Sequence, residues 1–406
     1  MSVAEVEPRI GRRVVVTGLG VLSGSCVGHE EFWQALVAPD PGPTHRKVLD
    51  FEPRRWLDRR RLQRTARFAQ IAVAAGRLAH EDAGSPVDDP EAVAVVMGTA
   101  NGDAGLIIEG YLGFQAKGRE GVSLLSGVIC MSNASSANIA FDLGSKGTTY
   151  SVASGCASGT HAVGEAFRLV RYGGADVAYT GGSEASLMGD DALEDPVAAG
   201  LLNLRVHTEE PVVRAFDLNR QGFILSEGAG VMRLETLDAA RARGAHIYAE
   251  VLGAGNTVDG YDLIQPAPRG EGSRRCMTLA LREAGVDPAD VGHINVHGTA
   301  TKHNDQAESD AAMDLFGSGG PALTSTKGIT GHPGAAAGGL EAVALALTIH
   351  HRVIPPTQHF VTPDPEITAD IVVGAPRPWE PGYALSNSLS LGGQNGSIVM
   401  GPPPAA

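Results

Sequence analysis

Residues 148–163, TTYSVASGCASGTHAV, restrict the possible folds more than any other part of this 406-residue chain. A β-prone run (Thr149, Tyr150, Val152) meets Ser154-Gly155, and Cys156 follows directly. Ala162, Val163, Ala166, Phe167 and Val170 then recur at helical spacing. A strand that turns sharply into a helix, with a cysteine on the turn, has the geometry of a nucleophile elbow. The side chain stands clear of the backbone, and free N–H groups of the helix N-terminus face it. A helix dipole contributes up to ~2 kcal/mol in a partly buried setting, so this placement predicts a thiol pKa lowered by as much as ~1.4 units. A cysteine among small residues is also a common buried packing group. The stretch alone leaves both readings open.

The same grammar returns in the second part of the chain. PALTSTKGITGHPGAAAGGLEAVALAL (321–347) repeats strand, turn and Ala/Gly-rich helix, and IYAEVLGAGNTV (247–258) echoes RRVVVTGLGV (12–21). These echoes predict a structural duplication, with an N-terminal unit over 1–245 and a C-terminal unit over 246–406. Hydrophobic residues at 43%, charged residues at 19% and 53 glycines fit a loop-rich α/β protein with a large core. Helices are expected over 29–37, over the Ala-rich segment that ends at Gly84, and over 273–285. A strand followed by a turn is expected in each of 92–100 and 175–185, a strand with His297 at its exit in 293–301, and one strand over 384–400. Residues 1–10 read as a loose tail, 101–146 as loops and helices at an interface, and 186–220 as an insertion.

The net charge of −14 argues against nucleic-acid binding, so an acidic partner needs a local basic patch. The basic cluster Arg60, Arg61, Arg64 and Arg67 is the best such patch, although a solvated helix face reads the same way. Cys26, Cys130, Cys156 and Cys276 are widely spaced without a CxxC pair, as for reduced thiols. MSVAEVEPRI has no signal-peptide pattern and no run of 18 apolar residues occurs, so a cytoplasmic protein with no membrane association is expected. Gly18, Gly20 and Gly24 miss the dinucleotide-binding spacing by one residue.

Three polar signals sit at strand ends or turns: Cys156, His297 in NVHGTAT and His332 in TKGITGHPGAA. Matched positions in a duplicated fold would bring them to one crevice. Lys327 and Glu341 are placed to give that crevice charged support, and Gly392-Gly393 lets backbone N–H groups approach a reacting centre. A papain-like protease is disfavoured because its local cysteine signature is absent. A zinc hydrolase lacks HExxH, and the adjacent His350 and His351 cannot share a helix face.

SGCASGTHAVG, VHGTATKHNDQAE, TSTKGITGHPGAAAGGLE and SNSLSLGGQNG, in this order over nearly the whole chain, resemble the elongating β-ketoacyl-acyl-carrier-protein synthases of the thiolase superfamily. The resemblance implies a five-layer αβαβα fold built from two duplicated halves, with no cofactor and no metal. It implies that Cys156 takes an acyl chain from a phosphopantetheine thioester on an acyl carrier protein. His297 and His332 would hold the malonyl thioester carbonyl during CO2 loss, and the N–H groups of Cys156 and Leu391 would form the oxyanion hole. Lys327 and Glu341 match the family's supporting ion pair, Asp305 and Glu308 its acidic positions near the first histidine, and Lys117 and Arg205 further carrier-docking positions.

Two departures stand out. Ser154-Gly155 replaces the Thr-Ala that tends to precede the cysteine in fatty-acid enzymes. The Phe-Gly-Phe-Gly-Gly gate reads Leu389-Ser390-Leu391-Gly392-Gly393, so both aromatics and the flexible glycine are gone. The chain therefore looks more like a type II polyketide ketosynthase acting on an unusual, rigid or unsaturated chain. Such a subunit works as a homodimer or beside a chain-length-factor homologue. That partner type lacks the nucleophile, so Cys156 marks the catalytic half; the alternative is a chain-length subunit that kept its cysteine passively.

Overall fold

A computed structural model describes residues 11–84, 89–185, 187 and 195–405. The chain folds as two units with one plan. The first runs β1 (Val14–Ser23), α1 (His29–Val37), α2 (Arg67–Ala83), β2 (Val93–Gly98), α3 (Ala104–Lys117), α4 (Ala134–Leu143), β3 (Thr149–Val152), α5 (Ser158–Arg171), β4 (Val177–Glu184) and β5 (Gly228–Thr236). The second runs β6 (Ala249–Val258), α6 (Glu271–Ala284), β7 (Val291–Asn295), α7 (Lys302–Phe316), β8 (Ala322–Thr324), α8 (Ala337–His351), β9 (Tyr383–Leu389) and β10 (Gln394–Gly401).

Strand order is β3-β2-β4-β5-β1 in the first unit and β8-β7-β9-β10-β6 in the second, the same permutation twice. In each, the first three strands are parallel and the last two antiparallel. β1 and β6 pair antiparallel through Val14↔Val251, Val15↔Glu250 and Val16↔Ala249, so hydrogen bonding runs across both units.

Helix α2 covers the outer face of the first sheet and α6 that of the second, while α5 and α8 lie between them. The sequence explains this layering. Every residue of α8 from Ala337 to Ile349 is buried, as an all-round apolar helix requires. Its first turns also come very close to α5. A Cβ on Gly338 would stand 2.3 Å from Thr160 Oγ1, and one on Gly159 would stand 2.7 Å from the Gly339 nitrogen. These glycines set the approach that brings the loop before α5 against the loop before α8.

Several expectations need correction. Residues 384–400 form a hairpin, because Gly392 (φ 96°) and Gly393 (φ 79°) turn the chain between β9 and β10. β7 ends at Asn295, so His297 stands at the exit of its strand as expected, and Gly298 (φ 49°) and Ala300 (φ 59°) then take left-handed backbone. The 186–220 insertion contains a helix at Pro196–Asn203; its residues 186 and 188–194, like the tail 1–10, lie outside the described residues. In the 101–146 segment, Ile107, Tyr111, Leu112, Phe114, Leu124 and Phe141 are exposed.

Candidate active site

Cys156 sits on the elbow between β3 and α5, after Gly155 in left-handed backbone (φ 57°). Ser158 closes the turn: its Oγ donates to the Gly155 carbonyl (2.6 Å) and accepts from the Ser154 N–H (2.8 Å). His332 occupies the matching loop before α8. Its N–H donates to the Ile224 carbonyl (2.7 Å) and its carbonyl accepts from Ser226 N–H (3.2 Å), which pins the backbone. Phe223 stands edge-on to the His332 ring at 4.6 Å.

His297 follows β7, and two carboxylates one helical turn apart on α7 hold its loop. Glu308 accepts from the N–H of His297 (2.8 Å) and of Gly298 (2.7 Å). Asp305 accepts from Phe216 N–H (2.7 Å) and Ala300 N–H (3.1 Å), both residues at positive φ. Burial pushes Asp305 up to about 6 and Glu308 up to about 7.

These loops converge. The Cys156 sulfur and one nitrogen of each histidine all lie within 4.8 Å of one another. The two imidazoles stand nearly perpendicular, with centroids 5.1 Å apart. A tetrahedral zinc site would accept this donor set, but the Lys327 ammonium lies 3.3 Å from His297 Nδ1 and opposes a second cation there.

Lys327 is fully buried and ion-paired with Glu341, which also accepts from Ser388 Oγ at 3.2 Å. Lys327 donates to the His297 carbonyl as well. An ammonium has only donors, so His297 Nδ1 accepts from it and the ring proton sits on Nε2. Burial first, then the Lys327 charge, holds both imidazoles well below their ordinary value, and each is neutral at pH 7. Any step that needs the two imidazoles neutral, measured between about pH 5 and pH 8, should therefore stay flat through pH 6.5, the ordinary histidine value, and fall only below it. A half-drop centred on 6.5 would contradict the burial of the pair.

The thiol corrects the sequence expectation. Burial pushes Cys156 up, while the Lys327 charge, the Ser390 hydroxyl and the Leu391 N–H pull it back. Desolvation is the largest influence, because it disfavours the charged thiolate. Cys26 and Cys276, pushed to about 11 and about 12 by burial, are packing groups. Cys156 differs from them because it shares a cavity of about 370 Å3 with both His297 and His332, beside Phe223, Thr299 and Thr301.

The gate residues form one wall: Leu389 is buried, Ser390 half-buried and Leu391 exposed. The Cys156 N–H, expected to face an oxyanion, donates to Ser390 Oγ at 2.9 Å. Arg205 lies at the cavity and Lys117 on the surface of α3. The basic cluster splits. Arg61 pairs with Asp142, and Arg67 makes a two-point contact with buried Glu227, so both are tied into the fold. Arg60 and Arg64 remain exposed. Phe223, Thr299 and Thr301 were not singled out from the sequence; the HGTAT motif contained the two threonines, but only their partner histidine carried a recognisable chemical signal.

A layered α/β fold that directs a cysteine elbow and two neutral imidazoles into one cavity defines a cysteine-dependent acyl-transfer enzyme. Residues 42–240 match the β-ketoacyl synthase N-terminal domain and 248–361 the β-ketoacyl synthase C-terminal domain. The chain belongs to the β-ketoacyl synthase family, and its fold is the thiolase fold. It is 36% identical to 3-oxoacyl-acyl-carrier-protein synthase 2 of Staphylococcus aureus, over 96% of this chain and 98% of that protein. The structure of the ishigamide ketosynthase/chain length factor superposes with a TM-score of 0.90 at 34% identity, covering 97% of this chain and all (100%) of that one. A type II polyketide ketosynthase, solved with its acyl carrier protein and bound to the hexaketide, gives a TM-score of 0.86 at 29% identity, covering 97% and 100%. Among the described residues no helix is long and apolar enough to cross a membrane.

Proposed function

We propose that this chain lengthens a carrier-bound acyl chain by decarboxylative Claisen condensation, in type II polyketide or specialised fatty-acid synthesis. The convergence of Cys156, His297 and His332 within 4.8 Å carries the reading. The Cys156 thiol gives up its proton as its sulfur attacks the acyl thioester carbonyl; a new C–S bond forms, the bond from that carbon to the carrier sulfur breaks, and the carrier leaves as a thiol carrying that proton. Malonyl carrier then enters, and the Nε2–H of His297, with His332 beside it, donates to the thioester oxygen. The bond to the carboxylate breaks, CO2 departs, and its electron pair becomes the enolate. Carbon attack on the acyl-Cys156 carbonyl forms the C–C bond and releases the Cys156 thiolate, leaving a β-ketoacyl carrier two carbons longer.

Thr299 and Thr301, whose hydroxyls hydrogen-bond each other at 2.9 Å, give the cavity polar handles for a phosphopantetheine arm. The exposed apolar side chains of α3 and the edge position of β3 suit a second ketosynthase-like chain, identical or a chain-length-factor homologue. The division into units 1–245 and 246–406 is part of the same reading.

With Leu391 in place of an aromatic gate, the mouth admits stiff chains. The test supplies malonyl carrier with saturated or polyunsaturated acyl carriers of equal length and reads product masses. A two-carbon-longer β-keto product, formed faster from the polyunsaturated chain, is expected; no elongation of either would contradict the function, and equal rates would contradict the gate.

Carrier docking rests on Arg60, Arg64 and Arg205, with Lys117 as a further contact. Reversing charge at Arg60 and Arg64 should raise KM for carrier-bound substrate a few-fold and flatten its salt dependence. KM for the same acyl group on a small thiol should not move. An unchanged carrier KM removes this patch.

A further inference from the structure

The two departures from the family pattern meet at one point. Ser390 Oγ accepts from the Cys156 N–H (2.9 Å) and donates to the Leu391 carbonyl (2.9 Å). A Cβ on Gly155 would stand 2.1 Å from that same oxygen. Gly155 therefore makes room for the Ser390 hydroxyl, and an alanine before the cysteine would exclude it. An amide N–H can only donate, so the Ser390 oxygen presents a lone pair to the Cys156 amide whether its own proton turns to the Leu391 carbonyl or to the Cys156 sulfur. An oxyanion needs that amide as its donor and cannot share the position with a lone pair.

We propose that Ser390 is a displaceable plug of the oxyanion hole, seated by Gly155. At rest it caps the Cys156 N–H, and acyl loading requires the 390–393 turn to withdraw the hydroxyl. Ser390 is thus a positioning residue that ties opening of the gate to completion of the site. The turn is held from outside by Gly392 N–H on the Leu263 carbonyl and Asp259 N–H on the Gly393 carbonyl, each at 2.8 Å. A chain that enters past exposed Leu391 presses on this turn, so the acyl group itself supplies the displacement. The plug rests on Cys156 being the acyl acceptor proposed above.

The test compares two reactions of the same thiol at one pH in the full chain. Acylation by an acyl carrier passes through an oxyanion; alkylation by iodoacetamide does not. Their ratio cancels changes in thiolate fraction and in access. Ser390→Ala should raise the acylation-to-alkylation ratio by about 2- to 10-fold, the net worth of one neutral hydrogen bond. Ser390→Gly should do the same, which guards against a fold defect peculiar to one variant. An unchanged ratio would make Ser390 a mere filler, and a lower one would make it a donor to the oxyanion; either overturns the plug. Gly155→Ala, which excludes the hydroxyl, should raise the acylation-to-alkylation ratio more in the wild-type background than beside Ser390→Gly, where no plug is left to displace. An equal change in both backgrounds would overturn the coupling. If wild type takes no acyl group on Cys156 while iodoacetamide still reacts, the acyl-acceptor reading fails, and the plug with it.

Discussion

Cys156→Ala is expected to abolish elongation, by at least about 10³-fold, while malonyl-carrier decarboxylation continues. The division follows from the site. The sulfur supplies only the bond that holds the acyl chain. On the proposed function, the hydrogen bond that stabilises the enolate comes from imidazoles on separate loops, pinned by Glu308 and by the Ile224–Ser226 segment. His297→Ala should instead suppress CO2 release by about 10²- to 10³-fold, the usual cost of one preorganised donor, and elongation with it. Both activities are read from the same reaction, as carrier mass and as released CO2. Equal loss of both in a folded Cys156→Ala protein would show that the two steps are not separable.

Lys327→Met should destabilise the fold by about 3–5 kcal/mol, because it leaves the Glu341 carboxylate buried without its partner. It also removes the donor that keeps His297 Nδ1 an acceptor, so the proton is no longer fixed on Nε2. Decarboxylation should fall about 10²-fold or more, as when an imidazole loses the group that sets its tautomer. Replacing both partners, Lys327→Met with Glu341→Gln, removes the unpaired charge and should restore most of the stability seen in urea melts. It should not restore CO2 release. A double variant that regained both would reduce the ion pair to a structural role.

What could be read in advance was what the chain writes locally. The elbow around Cys156 and the GHPG turn at His332 depend on a few consecutive residues, and their repetition at equivalent places gave the duplication. Features that depend on distant partners were hidden. Arg61 and Arg67 look like surface charges until Asp142 and Glu227, 81 and 160 residues away, are placed beside them. The single strand expected over 384–400 conceals a hairpin because β9 and β10 are both buried on either side of Gly392-Gly393. The thiol pKa was misjudged because local sequence shows a helix start but not the depth of burial. Gly155 and Ser390, far apart in sequence, depart from the family pattern in ways that make sense only together.

The central claim is that Cys156 carries the growing chain between two carrier-bound substrates. Intact-mass measurement after mixing the protein with an acyl carrier should show one added acyl group, located on Cys156 by peptide mapping. Adding malonyl carrier should remove that adduct and release CO2, with a β-ketoacyl carrier two carbons longer appearing in equal amount. An adduct that forms but survives malonyl carrier, or an acyl group mapped to any other residue, would contradict the account.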